Sequence, residues 1–119
     1  MKASEGLRQA AALLEAPGAW TKHTSAKNIH GHPVGPCDDS AVSFCSIGAM
    51  HRVFYADSAD YSNVVEEFIK AKLFVSNVLN FKEPISAWND HPNRTQQEVI
   101  ELFIKAAKLA EDSENDSFS

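Results

Sequence analysis

Thr95-Gln96-Gln97-Glu98 is followed by apolar residues at Val99, Leu102, Phe103, Ala106, Ala107 and Leu109-Ala110. The first four residues form a capping box. The Thr95 hydroxyl accepts from the amide of the Glu98 position, and the Glu98 carboxylate reaches back. The apolar residues then recur with helical period, so one face of a long helix must be buried against something else. In a chain of 119 residues, 44% of them hydrophobic, that burial has to happen within one domain. The fold is therefore expected to be a set of helices gathered around this last one.

The rest of the chain fits that expectation. A first helix is predicted from about Ser4, a reasonable N-cap, to Ala16, with Leu7, Ala10, Ala11 and Leu14 as its stripe. Pro17-Gly18 ends it. Lys27 to Val34 reads as two short extended arms around a turn at Gly31, a small β-hairpin. A second helix is predicted from Asp39 or Ser40 to about Tyr55, apolar almost all round and so central. Gly48 within it predicts that another helix crosses closely there. A third helix covers about Tyr61 to Leu79. The predicted class is mostly α, a compact four-helix domain over residues 1–111 with a small β-hairpin between helices 1 and 2. A five-helix domain without strands is the alternative. Residues 112–119 read as an acidic, disordered tail.

Charge narrows the function classes. The formal net charge is −5, but Glu111, Asp112, Glu114 and Asp116 account for most of it. The body before them is near neutral and has no basic patch to neutralise phosphates, which argues against nucleic-acid binding. No apolar run approaches the ~18 residues that would span a bilayer. The N-terminal stretch, with Glu5, Arg8 and Gln9, reads as a helix rather than a signal peptide. A cytoplasmic location is expected, with Cys37 and Cys45 as free thiols.

One stretch concentrates functional groups: Trp88-Asn89-Asp90-His91-Pro92-Asn93-Arg94, immediately before the capping box. Trp20, Lys22, Trp88, Asn89, Asp90 and Arg94 are the candidate binding residues. Two tryptophans would flank one groove, with Lys22 and Arg94 at its rim. The competing reading is structural: Trp88 as a plug, with Asn89 and Asp90 capping backbone groups. Cys45, with His91 and Asn89 or Asp90, forms the candidate catalytic set. Its weakness is register, because the predicted second helix starts some five residues earlier and leaves the thiol away from a helix N-terminus. His30, His32 and Cys37, with His23 and His51, have no tetrahedral zinc spacing, so no metal site and no cofactor are expected.

Three motifs carry a resemblance: Gly18-Ala19-Trp20-Thr21-Lys22, Cys45-Ser46-Ile47-Gly48-Ala49-Met50 and Trp88-Asn89-Asp90-His91-Pro92-Asn93-Arg94-Thr95. Together the chain resembles a small bacterial and bacteriophage family, a domain of unknown function, as far as about Leu109. The resemblance implies a bacterial or phage context and no particular chemistry. Cys45 belongs to the pattern, whereas His30, His32 and Cys37 do not. The functional expectation is a non-enzymatic protein- or ligand-binding module with a protein partner, acting on a host protein. The alternative is a small cysteine-dependent enzyme using Cys45 with His91.

Overall fold

The computed structural model describes residues 1–56 and 61–116. In chain order the elements are α1 (Ala3–Leu13), β1 (Ala26–Lys27), β2 (Pro33–Val34), β3 (Ser43–Phe44), α2 (Ser46–Tyr55), α3 (Tyr61–Val78), α4 (Ile85–Asn89) and α5 (Gln96–Asp116). The capping box forms as expected. Thr95 Oγ1 accepts from the Glu98 amide at 3.2 Å, and the Thr95 amide donates to Glu98 Oε1 at 2.9 Å. From this start α5 buries Val99, Ile100, Leu102, Phe103, Ala106, Ala107 and Ala110. α1 and α3 lie along it, and α2 closes the group against both α1 and α3.

Small side chains set the spacing. Ala3, Gly6, Ala10 and Ala11 on α1 are buried, as are Ala106, Ala107 and Ala110 on α5. A β-carbon at Gly6 would overlap the ring of Phe54, so the glycine admits that ring into the core. The N-terminus of α1 has no side-chain cap of its own. Its first amides are taken by acids from two other helices. Ala3 donates to Glu67 at 3.1 Å, and Ser4 donates through its hydroxyl to Glu114 at 2.6 Å. Ser4, expected as the cap, instead sits inside the helix. Negative carboxylates at the positive end of the α1 dipole are favourable.

The described residues form five helices and a small three-stranded antiparallel sheet, not four helices and a hairpin alone. Strand order is β2-β1-β3, with Ala26 opposite Val34 on one side and Phe44 on the other. The extra helix is α4, which lies where a loop was expected. Two further expectations are corrected. α2 begins at Ser46 rather than near Ser40, because Ser43–Phe44 pair with β1. The close approach at Gly48 comes from the Ser25 carbonyl, which a β-carbon would strike, and not from a helix. α5 also runs past the expected tail boundary to Asp116. Glu111 receives two 2.8 Å hydrogen bonds from Arg8, and Glu114 engages Ser4, so this end of the helix has tertiary partners. Residues 117–119 lie outside the described part.

Candidate functional site

Pro84 precedes a single helical turn and a half, and α4 delivers Asn89 to the interior at its last position. Asn89 is fully buried, and every hydrogen-bonding capacity of its amide is used. Oδ1 accepts from the Trp20 indole N–H at 2.8 Å, the Ser46 amide at 2.9 Å and the Ser46 hydroxyl at 2.6 Å. Nδ2 donates to the Thr21 carbonyl at 3.1 Å and to Asp90 Oδ1 at 2.9 Å. One side chain thereby ties α4 to the start of α2 and to the segment after α1. No buried side-chain nitrogen or oxygen among the described residues lacks a partner.

Asp90 continues this network outward. Its Oδ1 also accepts from the His23 amide at 3.0 Å, and its Oδ2 lies 3.6 Å from His23 Nδ1. His23 itself lies in the left-handed region, at φ 70°. Burial by itself would raise the Asp90 pKa. The His23 amide, the Asn89 amide and the neighbouring charges of His23 and Lys22 outweigh that, so the carboxyl is held below its ordinary range. Lys22 clamps the same turn from outside, donating to the His91 carbonyl at 2.6 Å.

A recess of about 330 Å³ opens beside this turn, lined by His23, Thr24, Ser25, Cys45, Ile47, Ser86 and Asp90. Cys45 is the N-cap of α2, and its sulfur accepts from the Gly48 amide at 3.3 Å. The sequence-based register, five residues into a helix, is therefore corrected: the thiol stands at a helix N-terminus. Its pKa is nevertheless raised. Burial is the largest cause and the Asp90 carboxylate adds to it, against the Gly48 and Ile47 amides. Cys45 and Asp90 meet in this recess. His91 does not join them there; its ring faces Glu83, with Nε2 3.1 Å from the carboxylate. The histidine in the recess is His23, which sequence reasoning considered only as a metal ligand. No local pattern marks it, since only the fold carries residue 23 to residue 90.

Trp88 and Arg94 turn the other way. The Arg94 guanidinium stacks 3.8 Å from the Trp88 ring centre, its Nε donates to the Trp88 carbonyl at 2.9 Å, and its Nη1 reaches Glu98 at 3.2 Å. With Val78, Leu79 and Leu102 they line a second recess, of about 280 Å³. The six candidate binding residues thus fall into separate places. Asn89 is internal, and Trp20 binds to it. Asp90 faces the Cys45 recess with Lys22 behind it. Trp88 and Arg94 border a different surface.

The imidazoles of His30 and His32, 6.1 Å apart, are exposed near the turn at Gly31, and Cys37 is exposed elsewhere. Among the described residues no three His, Cys, Asp or Glu side chains are grouped closely enough to hold a metal ion. Nor is any helix there long and apolar enough to cross a membrane.

The fold and site define a small, mainly helical domain in which a saturated buried amide supports an open recess with a carboxylate at its edge. The chain belongs to a family of unknown function, DUF6197, which it matches over residues 1–109. The matched span includes all of the residues of the recess. No curated protein and no solved structure matches the chain.

Proposed function

We propose that the protein is a non-enzymatic binding module, bacterial or phage in origin, that receives a hydrogen-bond-donating group of a partner protein in the Cys45 recess. An amino or guanidinium group is the natural complement. The observation that carries this is the state of Asp90. Its Oδ1 is committed to the Asn89 amide and the His23 amide, which aims the carboxylate without neutralising it. A preorganised ionised acceptor loses little freedom on binding a donor, and charge-assisted hydrogen bonds are the stronger kind. The support against catalysis is equally chemical. A nucleophilic cysteine needs its thiolate stabilised, whereas burial and a facing carboxylate push the Cys45 thiol up.

The test uses two small probes, N-acetyl-arginine amide and N-acetyl-lysine amide, titrated into the isotopically labelled chain. Amide shifts should move at His23, Ser25 and Asp90, and Asp90→Asn should abolish the movement. Probes that leave these resonances unchanged overturn the reading.

A second reading, a cysteine-dependent enzyme, has one observation in its favour. Cys45 caps a helix N-terminus in the same recess as a His23–Asp90 pair. Iodoacetamide alkylation against pH separates the two. The binding reading expects the rate to rise only above the ordinary thiol range, and a plateau reached at neutral pH would instead support the thiol enzyme.

A further inference from the structure

Only one oxygen of the Asp90 carboxylate is open to a ligand. A carboxylate oxygen has two lone-pair sites. Those of Oδ1 are both taken, by the His23 amide at 3.0 Å and the Asn89 side-chain amide at 2.9 Å. Among the described residues no donor stands within hydrogen-bonding distance of Oδ2, and His23 Nδ1 is 3.6 Å from it. The neighbouring Lys22 ammonium does not fill the place. It donates to the carbonyls of His91, at 2.6 Å, and Pro92, at 3.3 Å. The Asp90 side chain is 30% exposed and borders the recess, so a group entering there can reach Oδ2.

This geometry separates the two cations that protein side chains offer. Arginine gains over lysine at a carboxylate by laying two parallel N–H bonds across both oxygens. Here Oδ1 is full, so a guanidinium is limited to Oδ2. Most of its five donors, fixed in one plane, then lack a carboxylate partner. An ammonium has three donors and no plane to satisfy. It can give one to Oδ2 and turn the others to hydroxyls, which the recess supplies from Thr24, Ser25 and Ser86. The Thr24 hydroxyl already donates to the Ala26 carbonyl at 3.4 Å, which leaves its lone pairs to accept. Ile47, packed on the core, gives the recess an apolar wall for the methylene stem of a lysine.

We infer, on the binding reading above, that the group this recess takes is a primary ammonium, the end of a lysine side chain, and that the site discriminates against arginine.

Three probes test this on the unaltered, isotopically labelled chain at matched ionic strength: N-acetyl-lysine amide, N-acetyl-arginine amide and N-acetyl-trimethyllysine amide. The last keeps the charge but has no side-chain N–H. Affinities are read from the shifts at His23, Ser25 and Asp90. The lysine probe should bind about tenfold or more tightly than either of the others, because unpaired donors and acceptors cost at least that much. An arginine probe that binds as well as the lysine probe, or better, overturns the inference and leaves the binding reading standing. A trimethylated probe equal to lysine shows recognition by charge alone and overturns it too. If no probe moves these resonances, the binding reading falls and the lysine assignment with it. Asp90→Asn, with thermal melting to establish that it folds, should erase the preference for lysine over arginine. A preference that survives in the folded variant places the discrimination away from Oδ2 and overturns the inference. The three-probe comparison needs no variant, so it decides even if Asp90→Asn does not fold.

Discussion

Asn89 and Asp90 on one side, Trp88 and Arg94 on the other, are near neighbours in sequence and opposites in structure. The first pair faces inward and towards the Cys45 recess. There the fully buried Asn89 satisfies donors and acceptors from two separate segments, Trp20-Thr21 and the start of α2. The second pair lies against the start of α5, where the Arg94 guanidinium covers the Trp88 ring and reaches the exposed Glu98. Polar density in a sequence therefore does not define one site. The buried amide is costly to disturb because its loss leaves several polar groups unpaired at once, while the cation–aromatic stack is partly solvated and worth less.

The sharpest way to break this contrast is Asn89→Ala. It strands the Trp20 indole, the Ser46 amide and the Thr21 carbonyl at once, and at about 1–3 kcal/mol for each unsatisfied group the loss should be about 3 kcal/mol or more. Thermal or urea unfolding measures it. A loss near 1 kcal/mol would mean that water enters and the amide is not a structural centre. Arg94→Ala should cost about 1–2 kcal/mol, from the stack and the bond to the Trp88 carbonyl. Because it touches only the outer half, it should leave the alkylation rate of Cys45 unchanged. A changed rate would show that the two halves are coupled after all.

The smallest effects are in pH. Asp90 and Glu98 both have depressed pKa values, Asp90 through the causes given above and Glu98 chiefly through the Thr95 amide. A depressed carboxyl contributes stability above its unfolded pKa that is lost as pH falls through the folded value, so both halves should weaken in acid. Only the inner half should weaken in alkali. The Cys45 pKa is raised, so its contribution is complete below the ordinary thiol value and is lost as pH rises through the folded one. Cys45→Ser should remove that alkaline component, a change in stability that circular dichroism melts from neutral pH upward would detect. An alkaline limb identical in the variant would mean the thiol is not held protonated by its surroundings.

How far these sites were legible depended on the range of the interactions. The start of α5 was readable because a capping box is local: Thr95 and Glu98 meet across one turn whatever surrounds them. The turn at Gly31 was readable for the same reason, with Asn28 Oδ1 accepting from the amides of His30 and His32. The start of α2 was not. Ala41 to Phe54 is apolar almost throughout, which suits one buried helix as well as a strand followed by a helix. The choice was made by β1, sixteen or more residues away, which pairs with Ser43 and Phe44. α4 left a faint local signal, Pro84 before a helix-compatible run, but Trp88-Asn89-Asp90 reads more readily as a loop. The acidic run after Leu109 suited a frayed tail until Arg8 and Ser4 supplied partners from the other end of the chain.

Sequence alone determined that α1, α3 and α5 would form, and which faces α1 and α5 would bury, because helical period is set by residues within a turn or two of one another. It also marked Asn89, Asp90 and Cys45 as groups of interest. Only the tertiary structure decided that Asn89 is an internal support, that Cys45 caps a helix, and that the histidine beside Asp90 is His23 rather than His91. Those outcomes depend on contacts between residues from sixteen to sixty-nine positions apart. No local spacing encodes such contacts; they arise when the buried faces of separate elements are packed together and each buried polar group must find its partner there.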